Sequence, residues 1–312
     1  MFGSSLAHIG ADALIPEQLP GYVHAVSGRK AGLCQGHVVY THEGHAVLAA
    51  FPGSGEYERE AASSGGEALR LWRERARLWA SAPGADGFGC PPAFPQAAPL
   101  TGALEELAVN CRKITVLAPF CPSESPPGAF VSGDLYWQIP LPVPAPGVKL
   151  RNMLRRAERE LQLAPEAWGA DHQALVLQYL GTRPLSQGTR SIFSALPVYV
   201  GGGAGDGLSG TVLLLAARRA DGTLAAFAVG DFSGLSTAFY MFAFRSRDAP
   251  PGASDLLLWA LAEHGTRLGH QRLNLGLGIN SGISFFKKKW QAEPLLPYVE
   301  CSWDLRPAPG RA

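Results

Sequence analysis

Two groups of side chains have types and spacings that chemistry can use. Cys34, His37, His42 and His45 follow Cys-x2-His and His-x2-His spacings, as a zinc site would. They straddle one short hairpin, however, and alternation along a strand turns some of them to opposite faces. A polar hairpin tip explains them better, and no metal site is expected. Arg151, Arg155 and Arg156 form a row that suits the phosphates of a carrier. The wet side of an amphipathic helix looks the same, so both readings stand. The Gly201–Gly210 run lacks the Gly-Lys-Ser/Thr of a P-loop and precedes no helix, so it reads as a loop. No Gly-x-Ser-x-Gly elbow supports a serine hydrolase. His172, His264 and His270 are isolated and read as structural.

These residues need elements to hold them. His37–Tyr40 and Ala46–Phe51 flank Thr41-His42-Glu43-Gly44-His45 and predict a β-hairpin. Glu67–Trp79 has helical spacing, Pro83–Pro99 reads as loop, and Ile114–Leu117 and Leu135–Ile139 read as strands. Pro140–Gly147 carries four prolines and predicts a stiff linker at a domain boundary. Beyond it, Leu150, Met153, Leu154, Ala157 and Leu161 make one apolar helical stripe. A second helix is expected from Asp171, as its N-cap, to Gly181. Strands at Thr211–Arg218, Leu224–Gly230 and Leu235–Phe244 follow, joined by turns at Asp221-Gly222 and Ser233-Gly234. A helix over Ser254–Leu268, a strand over Arg272–Leu275, a helix over Ser281–Trp290 and a strand over Leu295–Trp303 complete the order.

Composition excludes several classes of function. The 312 residues are 46% hydrophobic and 17% charged, too apolar for a disordered chain and long enough for two cores. Lys+Arg 27 against Asp+Glu 26 leaves +1, so no global field recruits a polyanion and a local patch would have to. The five cysteines are scattered, which suits a reducing compartment. Met1–Pro20 has no signal-peptide pattern, and the longest apolar run, Val212–Ala217, is too short to span a bilayer. A cytoplasmic protein without a membrane span is expected.

Three passages then carry a resemblance. They are the Arg-rich Lys149–Ala157, the helix Ser254–Gly265, and Leu275-Gly276 followed by Gly282-Ile283-Ser284-Phe285-Phe286-Lys287-Lys288-Lys289-Trp290-Gln291-Ala292. In order and spacing they resemble the GNAT superfamily of acyltransferases, and in wording the Fem-type and related GNAT-like transferases. The last passage is similar to that family's terminal Gly-(Leu/Ile)…Phe-Lys…Trp/Phe-Gly signature. The resemblance implies a mixed α/β fold of two tandem GNAT-like units. Residues 1–146 would be the degenerate unit and 147–312 the catalytic one, with the last residues packing back on the first.

The implied activity is N-acyl transfer to a small-molecule amine, with no permanently bound cofactor. The donor would be an acyl thioester on coenzyme A or on an acyl-carrier protein, or else an aminoacyl-tRNA. A non-catalytic ligand-binding module on a decayed GNAT scaffold is the alternative from another class. Proximity and oxyanion stabilisation supply most of the rate in such chemistry. The resemblance gives the oxyanion to the Lys287 ammonium, although a run of three lysines also suits a solvated helix face. Asn274 and Asn280 lie where an acceptor would be oriented, with Phe286 and the arginines Arg151 and Arg155 as further substrate contacts. Asp231, Asp134 and Glu263 are candidates for the general base, and none has a partner visible in sequence.

The donor would cross the central strand at Phe242 and Phe244. Arg245, Arg247 and Ser254, with the N–H groups of Gly252 and Ala253, would hold its pyrophosphate. Pro250 and Pro251 offer no N–H there, and Asp248 places a negative charge where an anion would lie.

Overall fold

The computed structural model describes residues 5–62, 100–201 and 211–305. The expected helix over 67–79 and the loops over 83–99 and 202–210 lie outside the described residues. In chain order the first elements are α1 (Leu6–Ala11), α2 (Pro20–Ser27), β1 (Lys30–Cys34), β2 (His37–His42), β3 (His45–Ala49), α3 (Ser54–Ala62), α4 (Thr101–Asn110), β4 (Lys113–Ala118) and β5 (Phe130–Pro140). Then come α5 (Val148–Glu160), β6 (Gln162–Pro165), α6 (Ala170–Gly181), α7 (Gln187–Ser194), α8 (Leu196–Val200), β7 (Val212–Arg218), β8 (Leu224–Asp231) and β9 (Thr237–Arg245). The last four are α9 (Ala253–Arg267), β10 (Arg272–Leu277), α10 (Ser281–Lys289) and β11 (Glu293–Asp304). No helix among the described residues is long and apolar enough to cross a membrane.

Contacts divide the chain into two compact units. The first comprises Met1–Pro20, Arg29–Gln138 and Leu277–Ala312; the second comprises Gly21–Gly28 and Ile139–Gly276. In the first, the strands run in the order β1-β2-β3-β4-β11-β5, with only β3 and β4 parallel. The expected hairpin is β2–β3. Glu43 (φ 47) and Gly44 (φ 76) are both left-handed, as a two-residue turn matched to strand twist requires. Leu48, Ile114 and Val116 pack with Leu104 and Leu107 of α4, while Phe51, Tyr136, Leu295 and Leu296 pack with Leu14, Ile15 and Tyr57. Buried Gln18 stitches the second cluster, accepting from Leu14 N–H at 2.8 Å and donating to Phe51 O at 3.1 Å.

In the second unit the order is β10-β9-β8-β7-β6, antiparallel except for β9 and β10. Leu175, Val176 and Leu180 of α6 pack with Phe227, Val229 and Phe244. α9 packs against β8, β9 and α5. Leu150, Leu154 and Ala157 of α5 are buried while Arg151, Arg155, Arg156 and Arg159 are exposed, as the apolar stripe predicts. The N-cap of α6 is Gly169 and not Asp171. Asp171 lies in the first turn instead, where one oxygen accepts from His172 N–H at 2.9 Å and the other from Arg218 at 2.6 Å. The same guanidinium holds Glu166 at 2.6 and 2.7 Å, a charged fork on two carboxylates.

Candidate functional site

In the first unit, β10 ends at Leu277 and a tight loop leads into α10. Asp134 of β5 accepts from Gly278 N–H at 3.0 Å with one carboxylate oxygen and from Ile279 N–H at 2.9 Å with the other. A Cβ on Gly278 would come within 2.8 Å of that carboxylate, so the approach requires glycine. Asn280 caps α10, its side-chain oxygen accepting from Ile283 N–H at 3.0 Å. Between them Ile279 has φ 55, which a β-branched residue rarely adopts. Strain of this kind persists only where the surroundings over-determine it, and such places cluster at functional sites.

Lys287 reaches back to this loop, its Nζ donating to the Leu277 carbonyl at 2.6 Å. Of the three consecutive lysines it alone is buried, at 3% exposure. Lys288 and Lys289 turn instead to the rings of Trp137 and Phe286, at 5.9 and 5.0 Å. Burial pulls the Lys287 ammonium down to about 7, against the opposing charge of Asp134. Near neutral pH this group is poised between its charged and neutral forms. Ile279 and Phe285 leave apolar surface exposed beside it, at 72% and 70%.

The second unit holds the strands across which a donor was expected. Among the described residues, β9 and β10 pair from Thr237 with Arg272 to Phe239 with Asn274, and β9 runs on to Arg245. On its other side β9 carries a bulge: Val229 faces Phe242 while Gly230 faces Tyr240, leaving Met241 extra. A strand pair that ends early can take up an extended ligand beyond its end. Ala243 lies within this sheet and is nevertheless exposed. Phe242 and Phe244 face away from such a ligand, into a ring cluster with Phe193 at 6.0 and 5.4 Å.

The expected pyrophosphate cradle is crowded. Gly252 is left-handed, and a Cβ on it would lie 2.8 Å from Met153 Cγ and 2.9 Å from Met153 O, so α5 fills the space above it. Ala253 N–H is spent on Pro250 O at 3.1 Å. Buried Asp255 sits in the first turn of α9 beside half-buried Ser254, where it answers the helix dipole itself. Asp248 engages Arg219, while Arg245 and Arg247 remain exposed.

Other candidates fall in separate places. Asp231, 1% exposed, accepts from Tyr199 O–H at 2.6 Å with one oxygen, and from Ser233 N–H at 2.9 Å and Ser233 O–H at 2.5 Å with the other. Asn274, also 1% exposed, accepts from Gly276 N–H at 2.7 Å. Arg151 and Arg155 are exposed on α5, and Glu263 is exposed on α9. Lys287, Asn280, Phe286 and Asp134 thus belong to the first unit, and the remaining candidates for transfer to the second. The hairpin set has separate partners: Cys34 donates to Ala103 O at 3.5 Å, and His45 bonds Arg29 and Thr115 at 3.0 and 2.9 Å. Sequence reasoning weighed Asp134 only as a base. Its position as loop anchor shows in the cross-strand register, which no local pattern carries.

No family model matches the sequence, and no curated protein matches it. Solved structures do. The chain is similar to L-PGS from Bacillus licheniformis at 11% identity, over 95% of this chain and 93% of that one, with a TM-score of 0.51. It is similar to a conserved protein of unknown function from Bacteroides thetaiotaomicron at 12% identity, over 95% and 90%, with a TM-score of 0.53. It is similar to FemX at 10% identity, over 89% and 90%, with a TM-score of 0.50. At these identities the likeness is one of fold. The chain has the GNAT-like mixed α/β fold, in the form shared with FemX.

Proposed function

We propose that this chain transfers an acyl or aminoacyl group from an activated carrier to an amine. The observation that carries the reading is Lys287, a buried ammonium bound to the end of β10 beside a strained loop. In the attack of a neutral amine on an ester or thioester carbonyl, negative charge grows on the carbonyl oxygen. A cation already stripped of water and fixed in place stabilises that charge with little reorganisation. As the new N–C bond forms, the carrier oxygen or sulfur departs with the pair of the broken C–O or C–S bond and takes up the proton the amine loses. Asp231 takes no part, since both its oxygens hold a turn and a helix.

The crowded cradle at α9 favours a carrier other than coenzyme A. Arg151 and Arg155 on the open face of α5 suit a phosphate-rich carrier, and we assign them to an aminoacyl-tRNA. The test is product formation from a charged tRNA pool and an amine. Ribonuclease treatment of the donor is expected to abolish product. The rate is expected to fall by at least about tenfold between roughly 50 and 200 mM salt, and Arg155→Ala to flatten that slope. Product from acyl-coenzyme A alone, insensitive to salt, sinks the tRNA assignment and leaves acyl transfer in place.

A further inference from the structure

β4 ends at Ala118, and the stretch from there to the start of β5 at Phe130 carries Cys121. Where β4 pairs with β11, Cys301 lies opposite Val116. Had β4 run straight on, Cys121 would stand roughly 16 Å further along the strand. Instead the Cys121 and Cys301 sulfurs are 3.2 Å apart, so the chain after β4 folds back over the sheet. Packing holds it there. Phe120 packs against the cluster of Leu48, Ile114 and Val116 with α4. So does Trp303, which lies two residues from Cys301 and on the same face of β11.

The described cysteines are all free thiols, but they are not alike. Burial pushes the Cys34 thiol up to about 11 and raises that of Cys111. Thiols held up in this way form little of the reactive thiolate. Cys301 is 0% exposed, out of reach of a reagent in solution. Cys121 is only half-buried, and its thiol donates to Ser125 Oγ at 3.9 Å. The close pair therefore joins one sulfur that a small oxidant can reach to one that it cannot. Their separation exceeds the length of an S–S bond by only about 1.2 Å.

We infer that Cys121 and Cys301 form a reversible disulfide when the chain meets a peroxide, with Cys121 oxidised first and Cys301 as the resolving thiol. The Cys121 thiolate attacks one oxygen of hydrogen peroxide, the O–O bond breaks, and the departing hydroxide leaves as water with the proton of the thiol. Cys301 then attacks the sulfur of the resulting sulfenic acid. The S–S bond forms, the S–O bond breaks, and a second water carries off the Cys301 proton. Two thiols lose two electrons, and one peroxide is reduced to two waters. In a reducing compartment such a bridge is transient and reports oxidation. It needs nothing from the transfer chemistry. It clips the β4–β5 connection to β11 and joins positions 180 residues apart.

The test exposes the reduced full chain to hydrogen peroxide, caps the remaining thiols with iodoacetamide, and reads the unreduced digest by mass spectrometry. The expected product is a pair of peptides joined through Cys121 and Cys301, lighter by two hydrogens than the reduced pair and parted by dithiothreitol. The melting temperature of the bridged chain is expected to rise by at least about 3 °C, because the link closes a long loop in the unfolded state. Cys301→Ala removes the resolving thiol and should leave on Cys121 a sulfenic acid that dimedone captures. In Cys121→Ser, Cys301 should stay reduced at the same dose. Should Cys301→Ala fail to fold, Cys121→Ser and the unaltered chain decide alone. Cys121 and Cys301 both found capped, after a dose that oxidises free cysteine, overturn the inference. So does a bridge to Cys34, Cys90 or Cys111 in place of this one, or a melting temperature that stays or falls on bridging.

Discussion

Lys287→Ala is expected to slow acyl transfer by at least about a hundredfold, the cost of removing one donor from a developing oxyanion. The loss should fall on kcat, because the ammonium meets charge that exists only in the transition state. Near-normal turnover would remove Lys287 from the mechanism. The same residue sets a pH signature. Its folded pKa of about 7 lies below the ordinary 10.5, so the active cation is lost as pH rises through about 7. The kcat of the unaltered chain should therefore decline above neutrality, and the residual activity of Lys287→Ala should lack that limb. For stability the sign runs the other way. Between about 7 and 10.5 the unfolded chain holds the extra proton, so Lys287 makes unfolding harder as pH rises across that window. Lys287→Met should thus stabilise most below pH 7, with the gain shrinking toward 10.5.

Asp231→Ala is expected to cost about 3 kcal/mol, since it strands one buried hydroxyl, one half-buried hydroxyl and an N–H that now bond one carboxylate. Urea unfolding followed by circular dichroism reads this directly. Tyr199→Phe removes only one of those bonds and should cost about 1 kcal/mol. Activity per folded molecule separates anchoring from catalysis. A general base is worth about a hundredfold or more, so an Asp231→Ala loss under about threefold marks a structural carboxylate. A hundredfold loss with normal stability would return Asp231 to the reaction.

The sequence made the second half legible because its elements are regular. The α5 stripe and the apolar face of α9 each carry a local period, and the turn glycine Gly222 marks the link from β7 to β8. Short or mixed elements were not legible. β6 is a four-residue strand with a proline, β1 has a central glycine, and α7 buries no residue at all. Within the site, Lys287 was found by the Phe-Lys pair in the resemblance. Its burial was not, because two of its neighbours in the run are outside and composition treats all three alike. Gly252 was read as a cradle residue from its place before a helix. The structure assigns that glycine to a close approach by Met153, a contact made across 99 residues of chain.

The most direct measurement is a mass-spectrometric search for product. The full chain is incubated with a panel of amines and with acyl-coenzyme A, acyl-carrier protein or aminoacyl-tRNA as donor. Acyl transfer predicts an amine heavier by the acyl or aminoacyl group, formed by the unaltered chain and suppressed in Lys287→Ala. Saturable binding of donor or amine with no product from any donor would contradict it, and would make this chain a ligand-binding module on a GNAT-like scaffold.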